Sequence, residues 1–331
     1  MLAAVWSSPW IAWSRRAALL ALLVMLGSCS SGKQPPAVKT AGAGTAAAGS
    51  TSMNLIVDGV ARTVMVHVPT GYAGTHPVPL VLNLHGSGST AAQQEELTRM
   101  DATADAHGFV VAYPQAAIAA DLPGGGFDWN VPGVPLLGGK PVPAGSGDDI
   151  AFLAALPRTL AAGLCLDLHR VYATGLSGGG RISGQLACDA AGEFGAVAPV
   201  AGLRLPDPCP SRHAVPVLAF HGTADPIDPY NGNGQAYWTY SVPEAARRWA
   251  AHDGCAGTGS LSTPAASATL TIYQPCQGDA VVELYTLAGA GHIWPGGPPL
   301  PAAAQKLLGP PSAAVNANEA IWTFFVAHPL P

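Results

Sequence analysis

The chain has 331 residues, of which 49% are hydrophobic and only 11% are charged, and its formal net charge is −5. So few charges exclude a solvated disordered chain, and the slightly acidic balance excludes a nucleic-acid-binding protein with a basic face. The 40 glycines follow no three-residue period, which excludes a collagen.

An apolar run at residues 17–27 follows Arg15 and Arg16 and is too short to span a bilayer. Such a pattern is typical of an export signal. The run ends in LGSC, which resembles a lipobox, so we expect cleavage after residue 28 and lipidation of Cys29. The alternative is an ordinary secretory signal, and the pattern leaves the Sec and Tat routes open. We expect a cell-envelope or secreted protein that meets the membrane only through this anchor.

Residues 29–52 are small and polar without periodicity, which predicts a flexible tether. No second linker follows, so we expect residues 53–331 to form a single domain.

Short apolar runs bounded by turn residues alternate with helical patterns along this domain. The predicted strands are 63–69, 79–84, 109–113, 170–174, 196–200, 215–220, 270–273 and 281–287, and the predicted helices are 90–106, 149–162, 178–190, 243–252 and 313–327. This alternation predicts an α/β fold with a mostly parallel sheet covered by helices on both faces. Functional residues are then expected at the carboxyl ends of the strands.

One strand, 170–174, runs into Gly175, Leu176, Ser177, Gly178 and Gly179 before a helix. This is G-x-S-x-G in the strand, turn and helix context of a nucleophile elbow. We therefore predict Ser177 as a nucleophile.

A serine nucleophile needs a base that an acid orients, and in elbow hydrolases the chain order is serine, acid, histidine. The strand 215–220 is followed by Asp225, and the strand 281–287 is followed by His292. We predict Asp225 as the acid, with Asp228 as the competing candidate, and His292 as the base.

Two backbone N–H groups are the candidate donors for the oxyanion of the transition state. One belongs to Gly178, directly after the nucleophile, and the other to Ser87 in the H-G-x-G turn after the strand 79–84. A metal site built from His221, Asp225 and His292 lacks any typical ligand spacing. We predict no metal and no cofactor, and we interpret His221 as structural.

Cys165, Cys188, Cys209, Cys255 and Cys276 follow the predicted signal. An exported protein lies where disulfides persist, so we expect two bonds and one remaining thiol. Cys255 and Cys276 flank a polar segment and are the predicted pair, while the sequence does not choose among the other three.

Six motifs in fixed order resemble the secreted polyhydroxybutyrate depolymerase and feruloyl esterase family of α/β-hydrolases, carbohydrate esterase family one. They are LHG at 84–86, DDIAFL at 148–153, RVYATGLS at 170–177, FGAVAPVAG at 194–202, PVLAFHGTADPIDPY at 216–230 and GHIWPG at 291–296. The resemblance implies a serine esterase with Ser177, Asp225 and His292 as its triad, and it implies that Trp294 shapes the mouth of the site.

Loop aromatics suggest the substrate class. Trp129 and Trp238 lie in long loops expected over the site, and aromatic walls suit a phenolic acyl group or a polyhydroxyalkanoate chain. We expect a small or oligomeric ester as the partner and no nucleic acid, and the oligomeric state is left open. The alternatives are a non-catalytic lipoprotein that retains the fold and a serine peptidase on the same fold.

Overall fold

The computed structural model describes residues 47–57, 60–122 and 125–331, so the predicted signal, Cys29 and most of the tether lie outside the described residues. The strands are β1 (Gly49–Val57), β2 (Val60–Val68), β3 (Val78–Leu84), β4 (Val110–Pro114), β5 (Ile118–Ala119), β6 (Phe127–Asp128), β7 (Leu166–Leu176), β8 (Ala196–Val200), β9 (Val217–Gly222), β10 (Ser260–Ala265), β11 (Ala268–Tyr273) and β12 (Val282–Leu287). The helices are α1 (Ala91–Thr98), α2 (Met100–His107), α3 (Asp149–Ala161), α4 (Gly178–Asp189), α5 (Val242–His252), α6 (Ala302–Leu308) and α7 (Ala317–Ala327). No helix in these ranges has the length and apolar character needed to cross a membrane.

One large sheet organises the described chain, in the order β1-β2-β4-β3-β7-β8-β9-β12-β11-β10. The central strands from β4 to β12 are parallel, and the outer pairs at both edges are antiparallel. The predicted α/β-hydrolase fold is confirmed. The carboxyl ends of β3, β7, β9 and β12 therefore lie along one edge of the sheet.

Alternate residues of the central strands enter two separate cores. On β3, Leu80 and Leu82 join the core that α3, α4 and α5 cover, whereas Val81 joins the core beneath α2 and α7. On β7, Tyr172 faces the second core and stacks on Phe325 of α7 at 4.6 Å between ring centroids. Strands buried on both faces explain why their sequences are continuous apolar runs.

Two predicted boundaries differ from the elements of the structure. The strand β1 starts at Gly49, before the predicted domain start at residue 53, and it pairs along its whole length with β2 although only Leu55 is buried. The helix predicted at 90–106 is two helices, since Arg99 adopts a left-handed conformation with φ of 49°. The sequence pattern also misses the exposed edge strand β10 and the short helix α6.

Two disulfides between residues that the structure describes tie loops to this framework. Cys255 is bonded to Cys276, across the hairpin of β10 and β11, and Cys188 of α4 is bonded to Cys209 in the loop after β8. No cysteine in the described part of the chain is free, Cys165 included, so the expectation of a remaining thiol is wrong.

A buried ion pair joins the sheet to the start of α3. Arg62 on β2 lies 2.5 Å from the carboxylate of Asp149, and both side chains are 1% exposed. The second oxygen of Asp149 accepts a hydrogen bond from the backbone N–H of Asn130 at 2.7 Å. Burial raises the pKa of Asp149, and the charge of Arg62 opposes that shift.

Replacing Arg62 should therefore be costly, because it leaves a buried carboxylate without a counter-charge. We expect Arg62→Met to lower the free energy of unfolding by about 3 to 5 kcal/mol in urea denaturation. Adding Asp149→Asn, which removes the charge and keeps an acceptor for Asn130, should restore much of the loss. The matched control is Arg158→Met, which breaks the exposed pair with Glu193 and should cost less than about 1 kcal/mol. Equal losses for the two single variants would contradict the account.

Candidate active site

Ser177 occupies the sharp turn between β7 and α4 with φ of 56° and ψ of −114°. A positive φ is strained for a residue with a side chain, and it persists only where the surroundings enforce it. Here the turn packs directly against the end of β3, because a Cβ atom on Gly179 would overlap the carbonyl oxygen of Leu84. The close contact of two backbones fixes Ser177 at the carboxyl edge of the sheet, as the elbow motif predicts.

Asp225 and His292 meet at the same edge. Asp225 follows β9, His292 follows β12, and the Nδ1 atom of His292 lies 2.8 Å from Oδ2 of Asp225. Both side chains are buried, and Ser177 is 9% exposed. The structure therefore brings together the predicted acid and base on loops that follow two adjacent parallel strands.

The environment of Asp225 keeps it ionised. Burial alone would raise the pKa of this carboxyl group, but hydrogen bonds from His221 and His292 lower it, and the net pKa lies well below the ordinary value. The other oxygen accepts from the backbone N–H groups of Ile227 and Asp228, each at 2.8 Å. The ionised carboxylate of Asp225 is thus held in place beside the ring of His292.

The competing acid, Asp228, has a different partner. Its carboxylate forms a buried ion pair with Arg181 of α4. The structure thus directs the carboxylate of Asp225, and not that of Asp228, to His292.

His221, which the sequence analysis interprets as structural, lies against the carboxylate of Asp225. Its Nε2 atom donates to the carbonyl of Asp228 at 2.8 Å and lies 3.3 Å from Oδ2 of Asp225. The ring stacks against Trp238 with centroids 5.7 Å apart. Its position four residues before Asp225, at the end of a strand, was the available signal that it supports the acid.

The two predicted oxyanion donors are neighbours. A Cβ atom on Gly178 would lie 3.0 Å from the backbone nitrogen of Ser87 and would clash with its hydroxyl. The turn that holds Ser87 is fixed by Asp128, whose Oδ1 accepts from the N–H of Gly88 at 3.0 Å. The backbone nitrogen of Ser87 thus lies in a braced turn that packs against Gly178 of the elbow.

His85 is the buried support beneath this turn. Its Nε2 atom must accept, because the backbone N–H of Ala116 points at it from 3.1 Å, and its Nδ1 atom donates to the carbonyl of Gly86 at 2.8 Å. Burial lowers the pKa of His85 to about 4, although the bond to Gly86 opposes the shift. The ring is therefore neutral at pH 7.

All three predicted pocket tryptophans are buried, each 3% exposed. The indole N–H groups of Trp129, Trp238 and Trp294 donate to the carbonyl of His85, the carbonyl of Pro229 and the side chain of Asn318 respectively, at 2.8 to 2.9 Å. These hydrogen bonds hold each ring within the protein. The three tryptophans therefore stabilise the loops around the site. Their contact with a substrate stays a prediction.

No cluster of His, Cys, Asp or Glu suited to holding a metal ion occurs among the residues that the structure describes.

Comparison with known proteins gives the family. Residues 63–231 match the model of a family described as esterase PHB depolymerase. The chain belongs to this family. It is 30% identical over 329 residues to the putative esterase NocK of Nocardia uniformis subsp. tsuyamanensis, with 86% of this chain and 90% of the relative covered. The predicted family and the prediction of a carboxylic ester hydrolase are confirmed.

A second relative is named feruloyl esterase B, from Piromyces equi, and is 29% identical over 242 residues. The match covers 70% of this chain and only 42% of that relative's length. Among solved structures, an acetyl xylan esterase from Aspergillus awamori aligns with a TM-score of 0.52 at 14% identity, covering 78% of this chain and 97% of the other. That likeness supports the α/β-hydrolase fold.

The depressed pKa of His85 predicts a pH dependence of stability. Between pH 6.5 and about 4 the unfolded chain binds a proton at this residue that the folded chain excludes, so stability falls as the pH falls through this window. The full effect is about 3 kcal/mol, and it is absent above pH 6.5. In His85→Gln the unfolding free energy should fall less steeply with decreasing pH in urea titrations. The control His76→Gln changes an exposed histidine and should keep the wild-type slope, and an unchanged slope in His85→Gln would refute the assignment.

Proposed function

We propose that the protein hydrolyses carboxylic esters through an acyl-enzyme formed on Ser177, with His292 as general base and Asp225 as the acid that orients it. The observation that carries the proposal is the 2.8 Å bond from Nδ1 of His292 to Asp225, at the edge of the sheet where Ser177 is held at positive φ. That bond leaves Nε2 of His292 to take the proton of the serine hydroxyl.

The reaction then follows from the groups at hand. Ser177 attacks the ester carbonyl as His292 takes its proton, and the buried Asp225 stabilises the imidazolium that forms. The backbone N–H groups of Gly178 and Ser87 stabilise the oxyanion. His292 returns the proton to the departing alcohol, and a water activated by the same histidine releases the acid.

Removing the nucleophile tests the mechanism. Ser177→Ala should lower kcat for 4-nitrophenyl acetate by at least about a thousandfold and abolish labelling by a fluorophosphonate probe. The matched control is Ser183→Ala, which removes another buried hydroxyl of the same region, bonded to the carbonyl of Gly180 in α4. It should keep near wild-type turnover and labelling. Turnover in folded Ser177→Ala would refute the mechanism, and an unlabelled wild type would favour the non-catalytic alternative.

For the substrate we propose esters of phenolic acids, with hydroxyalkanoate oligomers as the second candidate. The names of the relatives support the first, and the name of the family supports the second. The test compares the rate of ferulate release from a feruloylated sugar with the rate of hydroxybutyrate release from its oligomers. We expect a higher kcat/KM on the feruloylated sugar. The reverse order would select the second candidate, and activity on neither would reject both.

We also propose export of the protein and lipid anchoring at Cys29. The disulfides of the folded domain support an oxidising location. Incorporation of a clickable fatty acid in the wild type, and its loss in Cys29→Ser, is the test. Incorporation that persists in Cys29→Ser would contradict the anchor.

A further inference from the structure

A cavity of about 720 Å³ lies between the loop after β8, the segment 236–240 and the carboxyl half of α5. Its wall combines charged and aromatic side chains. They include Arg204, Asp207, Tyr237, Tyr240, Arg248 and His252.

Arg204 differs from the other buried arginines. The described residues include three arginines that are less than one-tenth exposed, namely Arg62, Arg181 and Arg204. Arg62 is paired with Asp149 and Arg181 with Asp228, whereas Arg204 forms no ion pair with any residue that the structure describes. Its only hydrogen bond there is a long one, 3.4 Å, from Nη2 to the carbonyl of Pro132.

An unpaired buried charge is costly, and the guanidinium carries five N–H donors that need acceptors. Burial lowers the pKa of Arg204, and the charge of Arg181 adds to this shift, whereas Tyr240 and Asp207 offset it only in part. Asp207 also lines the cavity, but it is exposed and lies beyond ion-pair distance of Arg204. The site therefore has an unmatched positive charge and unused donors.

Three other polar side chains of the wall are already engaged. Arg248 bonds to Glu244 at 2.9 Å and covers the ring of Tyr240, 4.0 Å from its centroid. The hydroxyl of Tyr240 lies 3.1 to 3.2 Å from the backbone of Leu205, and His252 is bonded to Asp253 at 2.8 Å. Arg204 is thus the buried polar side chain of this wall that still has unused donors.

Short links connect this cavity to the proposed catalytic centre. Arg204 follows Gly202 by two residues, and a Cβ atom on Gly202 would lie 2.5 Å from the carbonyl oxygen of Ser177. Arg181, four residues after Ser177, lies 5.3 Å from the ring centroid of Tyr237, which lines the cavity. A ligand at Arg204 would therefore lie beside the loops that hold the nucleophile.

We propose that Arg204 binds a free carboxylate, so that the preferred substrates are esters that carry a second, unesterified acid group. A planar guanidinium donates two parallel hydrogen bonds to a carboxylate. Such a ligand would satisfy the unused donors of Arg204 and neutralise its charge. The aromatic rings of Tyr237 and Tyr240 supply an apolar wall for the chain or ring that bears the acid. As a statement about substrates, this inference rests on the proposed ester hydrolysis.

The test uses two pairs of esters that differ only in this charge. Mono-4-nitrophenyl adipate and its methyl ester place the acid on the acyl side, and 4-acetoxybenzoate and its methyl ester place it on the alcohol side. We expect the wild type to show a KM about tenfold lower for the acid in at least one pair. Arg204→Gln should lose that preference while hydrolysing the neutral methyl esters as the wild type does.

Arg247→Gln is the matched control, because Arg247 lies on α5, is bonded to Glu244 and does not line the cavity. It should keep the preference. No preference in either pair, or a preference that persists in Arg204→Gln, would overturn the proposal. Thermal unfolding of each variant shows whether it is folded in the assay.

A binding measurement separates this inference from the catalytic proposal. Calorimetry should detect 4-acetoxybenzoate or adipate binding to Ser177→Ala, and adding Arg204→Gln should weaken that binding about tenfold or more. If the wild type hydrolyses no ester, the proposal of ester hydrolysis is rejected. The titration still tests whether Arg204 binds a carboxylate. Equal affinity with and without Arg204, or no binding to Ser177→Ala, would overturn the site.

Discussion

The buried carboxylate of Asp225 is the constraint on which the site depends. One oxygen accepts from the backbone N–H groups of Ile227 and Asp228, and the other faces the rings of His292 and His221. A buried anion tolerates little movement, because each lost donor costs about 1 to 3 kcal/mol or more. The loops after β9 and β12 are therefore held in one geometry, and the ring of His292 is held with them.

The parallel sheet places this carboxylate beside the other residues of the candidate active site. Strands with the same direction bring their carboxyl ends to one edge, so residues far apart in sequence become neighbours. This is why strand ends and chain order, together with the G-x-S-x-G motif, suffice to propose Ser177, Asp225 and His292 as a triad. The apolar strand runs and the glycines around Ser177 predicted the elbow for a related reason, since only glycine permits the backbone of β3 to approach so closely.

Other features depend on contacts that no local pattern encodes. β1 is polar on its exposed face and is defined by its pairing with β2, so its sequence resembled a linker. The tryptophans of the loops suggested a substrate pocket, but the acceptors of their indole groups come from distant segments. In the same way, nothing in the sequence distinguishes Arg204 from the other arginines. Only the folded chain shows that the buried Arg62 and Arg181 have carboxylate partners and that Arg204 forms no ion pair with any described residue.

The central claim is that Asp225, and not Asp228, orients His292. It is tested most directly by comparing Asp225→Asn with Asp228→Asn on a neutral ester, at a temperature where circular dichroism shows both variants folded. We expect Asp225→Asn to lower kcat by about a thousandfold to ten-thousandfold, because an amide cannot hold the imidazole in the required tautomer or stabilise its charge. Asp228→Asn should weaken the pairing with Arg181 and retain most of the turnover. A larger loss in Asp228→Asn than in Asp225→Asn would contradict the account.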